Sequence, residues 1–209
     1  AQGDVRYNDQ LPINISKEFI SQEIAFYNEI EKQLKDVDYD QLKDDKKVVY
    51  DVLDYTIKDK LERYAYNPEY FPFNQFTGLP IDFPLLGSGD GSQPFKTEKD
   101  YQNWAKRMDQ FPIWMDTAIA NFREGMSKGY VLPNALVIKM IPQMIAEELV
   151  TKDLENNIFY GPIKKLPSNF SPVLANKYTK LYQDAIKQKI IPAYLKMHDF
   201  LEKEYLIYE

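Results

Sequence analysis

Hydrophobic positions recur at helical spacing along almost the whole chain. Ser16 offers an N-cap oxygen, and Ile20, Ile24, Tyr27, Ile30 and Leu34 follow every three or four residues, predicting a first amphipathic helix. A polar stretch from Asp36 to Lys47 contains the turn into a second helix, whose apolar stripe is Val49, Leu53, Ile57, Leu61 and Tyr64. Its outer face carries Asp54, Lys58 and Glu62, and Asn67-Pro68 ends it, because a residue before proline avoids the α region. The longest unbroken stripe is Trp104, Met108, Phe111, Met115, Ile119, Phe122 and Met126. Thr97 with Asp100 resembles a capping box at its start, and Gly129 is a C′ candidate at its end. Pro112 lies inside it, which predicts either a kink or a second helix starting there. Pro133 opens a further helix with Leu136, Val137, Met140, Ile141, Met144 and Ile145 inward and a kink at Pro142. Ser171-Pro172 starts a last helix through Tyr178, Leu181, Ile186, Ile190, Tyr194, Met197 and Leu201, bent at Pro192. The fold class expected is all-α: a multi-helix bundle forming a single region over residues 1–209, with 1–45 as a peripheral N-terminal helix.

One segment breaks the pattern. From Pro68 to Pro94 the chain holds nine Gly or Pro residues, three of them in Gly87-Ser88-Gly89-Asp90-Gly91, so residues 68–96 are expected to form a long loop without a helix. The loop is nonetheless apolar, with Tyr70, Phe71, Phe73, Phe76, Leu79, Ile81, Phe83, Leu85 and Leu86, which predicts that it packs. Its aromatics beside Asn74 and Gln75 could line a cleft for peptide or glycan. The glycine run lacks the lysine and the strand-turn-helix context of a phosphate-binding loop.

Composition narrows the chemistry. A single histidine, His198, and no cysteine leave no Cys–His pair, no histidine-based triad accompanied by a metal histidine, and no conventional zinc ligand set. His198 has only Asp199 and Glu202 as local partners, so a partly buried or surface histidine is the plain expectation. The carboxylate pairs Asp51/Asp54, Glu147/Glu148 and Asp199/Glu202 could in principle do acid–base work, but each has lysines nearby and reads as solvated helix surface. The net charge of −6 argues against nucleic acid as a partner. No apolar run reaches the ~20 residues of a membrane span.

Several segments resemble the bacterial domain-of-unknown-function 885 proteins. They are Phe71-Pro72-Phe73-Asn74-Gln75-Phe76-Thr77-Gly78, Phe95-Lys96-Thr97-Glu98-Lys99-Asp100-Tyr101 with Trp104, Arg107 and Phe111-Pro112, and Ala118-Ile119-Ala120-Asn121-Phe122-Arg123-Glu124-Gly125 continuing through Gly129-Tyr130-Val131-Leu132-Pro133. Ile190-Ile191-Pro192-Ala193-Tyr194 and Phe200-Leu201-Glu202-Lys203-Glu204-Tyr205-Leu206 complete the set. The resemblance covers roughly residues 45–209, with 46–209 as the matched core. It implies a large, mostly helical protein related to zinc metallopeptidases of the gluzincin type, often exported or a lipoprotein of the cell envelope. The family's His-Glu-x-x-His helix lies downstream of these segments, so no zinc ligand or catalytic residue is carried over, and zinc is expected only in a longer parent.

What the resemblance implies for this chain is a non-catalytic N-terminal part, one wall of a substrate cleft. Asn74, Gln75, Phe76 and Arg123 would then face peptide substrate, and Arg123 could bind a carboxylate through two hydrogen bonds or form a structural ion pair. The remaining C-terminal catalytic region of the same protein would be its main partner. The alternatives are a stand-alone helical module that binds peptide or glycan, and an assembly role in which the apolar C-terminal end docks on a partner.

Overall fold

The structure, a computed structural model, describes residues 5–208; residues 1–4 and 209, which the bounds above include, lie outside it. Its α-helices are α1 (Lys17–Lys35), α2 (Asp44–Tyr64), α3 (Leu79–Gly87), α4 (Glu98–Ser127), α5 (Asn134–Met144), α6 (Glu147–Val150), α7 (Gly161–Lys164), α8 (Pro172–Ala185) and α9 (Ile191–Phe200). No strand occurs among the described residues.

The centre of the fold is α4. Thr97 and Asp100 close a reciprocal capping box at its start, and Gly129, at φ 81°, follows its end. All seven residues of the 104–126 stripe are buried. The helix runs through Pro112 as one element of 30 residues. Against it lies the C-terminal rod: α8, a π turn at Ile186–Ile190, α9, and a second π turn at Leu201–Tyr205. Ser171 caps α8 through the Leu174 amide, with Pro172 in the first turn.

Rod and α4 run parallel, and ion pairs mark the register: Glu98–Lys177, Asp109–Lys189, Asp116–Lys196 and Arg123–Glu204, at 2.6–3.0 Å. Between the middle two pairs both helices advance by the same number of residues. Over each outer interval the rod uses one residue more than α4, and each of those intervals ends within a π turn. A π turn inserts a single residue into an α-helix, so the two insertions keep the rod's buried tyrosines and aliphatics facing α4. The first also absorbs Pro192. There the Ile191 N–H reaches back five residues to the Ile186 carbonyl, just ahead of the residue that has no N–H to give.

The expectation of a helix-free loop at 68–96 is wrong. Leu79–Gly87 is helical despite two prolines. Pro80 sits in the first turn, where no intrahelical donor is needed. Pro84 lies inside and cannot donate to the Pro80 carbonyl, but the Tyr194 hydroxyl donates to that oxygen instead, at 2.9 Å. Burial holds this phenol well above its usual pKa and so keeps it a donor. A partner more than a hundred residues away thus replaces the lost helical bond.

The stripe assigned to α2 also needs correction. Of its members Ile57 is buried and Leu61 and Tyr64 are half-buried, while Val49 and Leu53 are exposed. The face turned to α1 is Tyr50, Asp54, Ile57, Leu61 and Tyr64, so Asp54 belongs to the packed side and not to the outer row. Spacing admitted both faces, and the contact with α1 chose one. Val48, Val49, Val52, Leu53 and Tyr55 are left bare on α2, as is Phe26 on α1. At the hairpin's base Tyr64 hydrogen-bonds Glu23, and Lys17 pairs with Glu124 at 2.7 Å.

Candidate functional site

The 74–78 loop is built by its own asparagine. Asn74 Oδ1 accepts from the Phe76 and Thr77 amides at 2.8 and 3.1 Å, and the Asn74 amide donates to the Thr77 carbonyl at 3.0 Å. This turn holds Phe76 out into solvent, 78% exposed, while Phe73 anchors the loop against Phe122. Gln143 of α5 donates from Nε2 to the Gln75 carbonyl at 3.0 Å. The Oε1 atoms of Gln75 and Gln143 are buried and have no donor. The loop therefore presents an exposed aromatic ring on a braced turn, while the two undonated oxygens lie beneath the surface.

Arg123 stands apart from the loop. Its Nε and Nη2 donate to the two carboxylate oxygens of Glu204 at 2.7 and 2.6 Å, and its guanidinium lies over the Phe200 ring. The pair raises the arginine's pKa and lowers that of Glu204. The structure does not bring Arg123 together with Asn74, Gln75 and Phe76: the loop's contacts are Gln143 and Phe122, and those of Arg123 are Glu204 and Phe200. Both charges of the pair are open to water, so replacing Arg123 by alanine is expected to change unfolding free energy by less than about 1 kcal/mol. Urea titration of the two proteins checks this.

Next to it, the Glu124 carboxylate gathers three donors. Lys128 and Lys17 each approach at 2.7 Å, and the Tyr70 hydroxyl donates at 3.2 Å. Lys128 also reaches the Tyr70 oxygen. The hydrogen bonds from Lys128, Lys17 and Tyr70 lower the Glu124 pKa from 4.5 to about 2. A carboxyl depressed in the folded state adds stability above its unfolded pKa and loses it as pH falls. The contribution should therefore be complete above about 4.5 and fade toward about 2. Carbon-detected NMR titration of the Glu124 carboxyl should give a midpoint near 2; a midpoint near 4.5 would mean that the junction does not hold in solution.

His198 has Asp199 Oδ1 3.1 Å from Nδ1 and Glu202 Oε2 4.0 Å from Nε2, and ligand atoms of the three lie within 4.8 Å of one another. Both carboxylates are largely exposed, and Lys203 holds Asp199 at 2.9 Å. One imidazole and two solvated acids on successive turns do not match the two imidazoles a gluzincin zinc requires. Asp51 accepts from the Tyr39 hydroxyl at 3.2 Å and Asp54 pairs with Lys58 at 2.7 Å. Glu147 and Glu148 open the short α6.

Sequence reasoning missed Gln143, whose role depends on α5 lying against a loop 68 residues away. It also missed the Tyr70–Glu124–Lys17 junction. No local signal marks either one.

No helix among the described residues is long and apolar enough to cross a membrane. No curated protein matches the chain. Among solved structures, a protein titled "the putative lipoprotein from Colwellia psychrerythraea" aligns with a TM-score of 0.77 at 17% identity, over 90% of this chain and 34% of that one. The fold is therefore shared, and this chain spans about a third of that protein. The model of a family described as "Bacterial protein of unknown function (DUF885)" matches residues 1–208, taking in the N-terminal segment as well as the motifs quoted above. The chain belongs to that family of bacterial proteins of unknown function.

Proposed function

We propose that the chain is the non-catalytic N-terminal part of a zinc-dependent peptidase and forms one wall of its substrate cleft. The peptidase chemistry comes from the family resemblance. The observation in the chain itself that carries the cleft reading is the 74–78 loop, where a turn built by Asn74 and braced by Gln143 holds Phe76 out into solvent. An extended peptide supplies a side chain to pack on that ring. Asn74 positions the turn and does not touch substrate. The bare apolar face of the α1–α2 hairpin supports the larger assembly, because a contiguous exposed patch marks an interaction surface. Its proposed occupant is the rest of the parent protein, as the solved relative is about three times as long as the shared region.

The test is metal analysis and peptide hydrolysis on the complete gene product and on the 209-residue chain. Zinc and activity are expected in the former and in neither assay of the latter. A reading frame that closes at Glu209, or a complete protein without zinc, would overturn the peptidase reading. In an active protein, Gln143→Met should raise KM with kcat unchanged, the pattern of binding energy lost equally from ground and transition states. An unchanged KM would remove the loop from the cleft.

A further inference from the structure

The glycine run lines a cavity unlike the loop just described. The cavity measures about 400 Å³, and its polar lining is Gly91, Ser92, Gln93, Lys96 and Lys165. Pro94, Phe95 and Pro162 make its apolar side, and no carboxylate lines it. In a chain of net charge −6 that is a local reversal of sign.

Its donors are held in place from behind. Gln93 is 4% exposed. Arg107 Nη1 donates to Gln93 Oε1 at 2.5 Å, and the same guanidinium is fixed by the Gln10 and Tyr7 carbonyls, each at 3.1 Å. The oxygen of this amide is thus committed. Its nitrogen has one contact, the Pro94 carbonyl at 3.5 Å, which is too long to satisfy a buried donor. The main-chain amides of Gly91 and Ser92 have no acceptor among the described residues. Gly91 fits only as glycine, since a Cβ there would stand 2.4 Å from the Leu85 carbonyl. Lys96 forms no ion pair among the described residues, and Lys165 shares its charge with exposed Asp90 at 2.6 Å. The acids that follow Lys96 are engaged elsewhere: Glu98 with Lys177 and the Tyr178 hydroxyl, and Asp100 Oδ2 with the Lys96 and Thr97 amides.

We propose that this cavity binds a small oxyanion, a carboxylate or phosphate group. The Gln93 amide nitrogen and the Gly91 and Ser92 amides hydrogen-bond it, and the Lys96 and Lys165 ammonium groups balance its charge. The arrangement is a cradle of main-chain and amide donors, without the helix that a nucleotide loop requires. The rings of Pro94, Phe95 and Pro162 allow the group to carry a short apolar substituent.

The experiment is nitrogen-edited NMR on the 209-residue chain, titrated with inorganic phosphate and, separately, with acetate, at constant ionic strength set by chloride. The expected result is saturable shifts at the Gly91 and Ser92 amides and the Gln93 side-chain NH2. They should be at least about tenfold weaker in binding for a Lys96→Gln/Lys165→Gln variant, whose changes are exposed and leave the fold intact. A response to phosphate alone identifies the ligand as a phosphate, and a response to acetate alone as a carboxylate. No saturation with either anion overturns the proposal. So does equal affinity in the double variant, or shifts scattered over surface lysines, which would mean an adventitious ion only.

Discussion

Phe83→Ala is expected to cost about 3–5 kcal/mol of stability, the range for deleting a fully buried aromatic ring. Phe83 is completely buried, stacked between Trp104 at 4.7 Å and Phe111 at 4.4 Å, with Phe159 at 5.6 Å. It joins α3 to α4 and to the 158–160 turn, so its removal leaves a cavity lined by Trp104, Phe111 and Phe159, all fully buried. Guanidinium unfolding should show a lower midpoint at nearly unchanged slope. A similar substitution at exposed Phe76 should stay within about 0.5 kcal/mol. Equal losses at both positions would contradict the packing described.

Gly78→Ala should cost about 3 kcal/mol, from two sources of about 1–3 kcal/mol each. Gly78 has φ 125°, where side chains are strained whatever the space available, and a Cβ would stand 2.4 Å from the Phe73 Cβ. Phe73 is 2% exposed and packed on Phe122, so it cannot step aside. Gly129→Ala is the comparison: its φ of 81° is also positive, yet nothing lies within 4 Å of a Cβ there. It should pay the backbone strain alone, about 1–2 kcal/mol. The difference between the two midpoints measures the steric part, and equal losses would mean that Phe73 yields. The same substitution at Gly78 should also blur the 74–78 turn, visible as lost dispersion of the Phe76 and Thr77 amide resonances.

Glu98 shows how one residue can serve helix and tertiary contact together. It stands in the first turn of α4, where the helix dipole favours an acid, and it pairs with Lys177 at 3.0 Å and accepts from the Tyr178 hydroxyl at 2.9 Å. Those contacts lower its pKa, and they tie the start of α4 to the start of the C-terminal rod.

The sequence by itself determined the helical class, the caps at Ser16, Thr97 and Ser171, the stop at Gly129 and the buried stripe of α4. These depend on periodicity and on groups within four residues of each other, which local spacing records. The family motifs were legible for the same reason, being contiguous strings. Tertiary structure alone decided which face of α2 is covered, since Val49 and Leu53 fit a helical stripe as well as Tyr50 and Asp54 do. It decided that α3 exists, because the carbonyl orphaned by Pro84 is satisfied by Tyr194 of a distant helix. It set the two π turns, which have no local signature and answer to the register of α4. It also placed Gln143 beside Gln75, and Arg107 behind Gln93. Each of these turns on where a polar group finds its partner across the fold, and sequence spacing carries no record of partners that far apart.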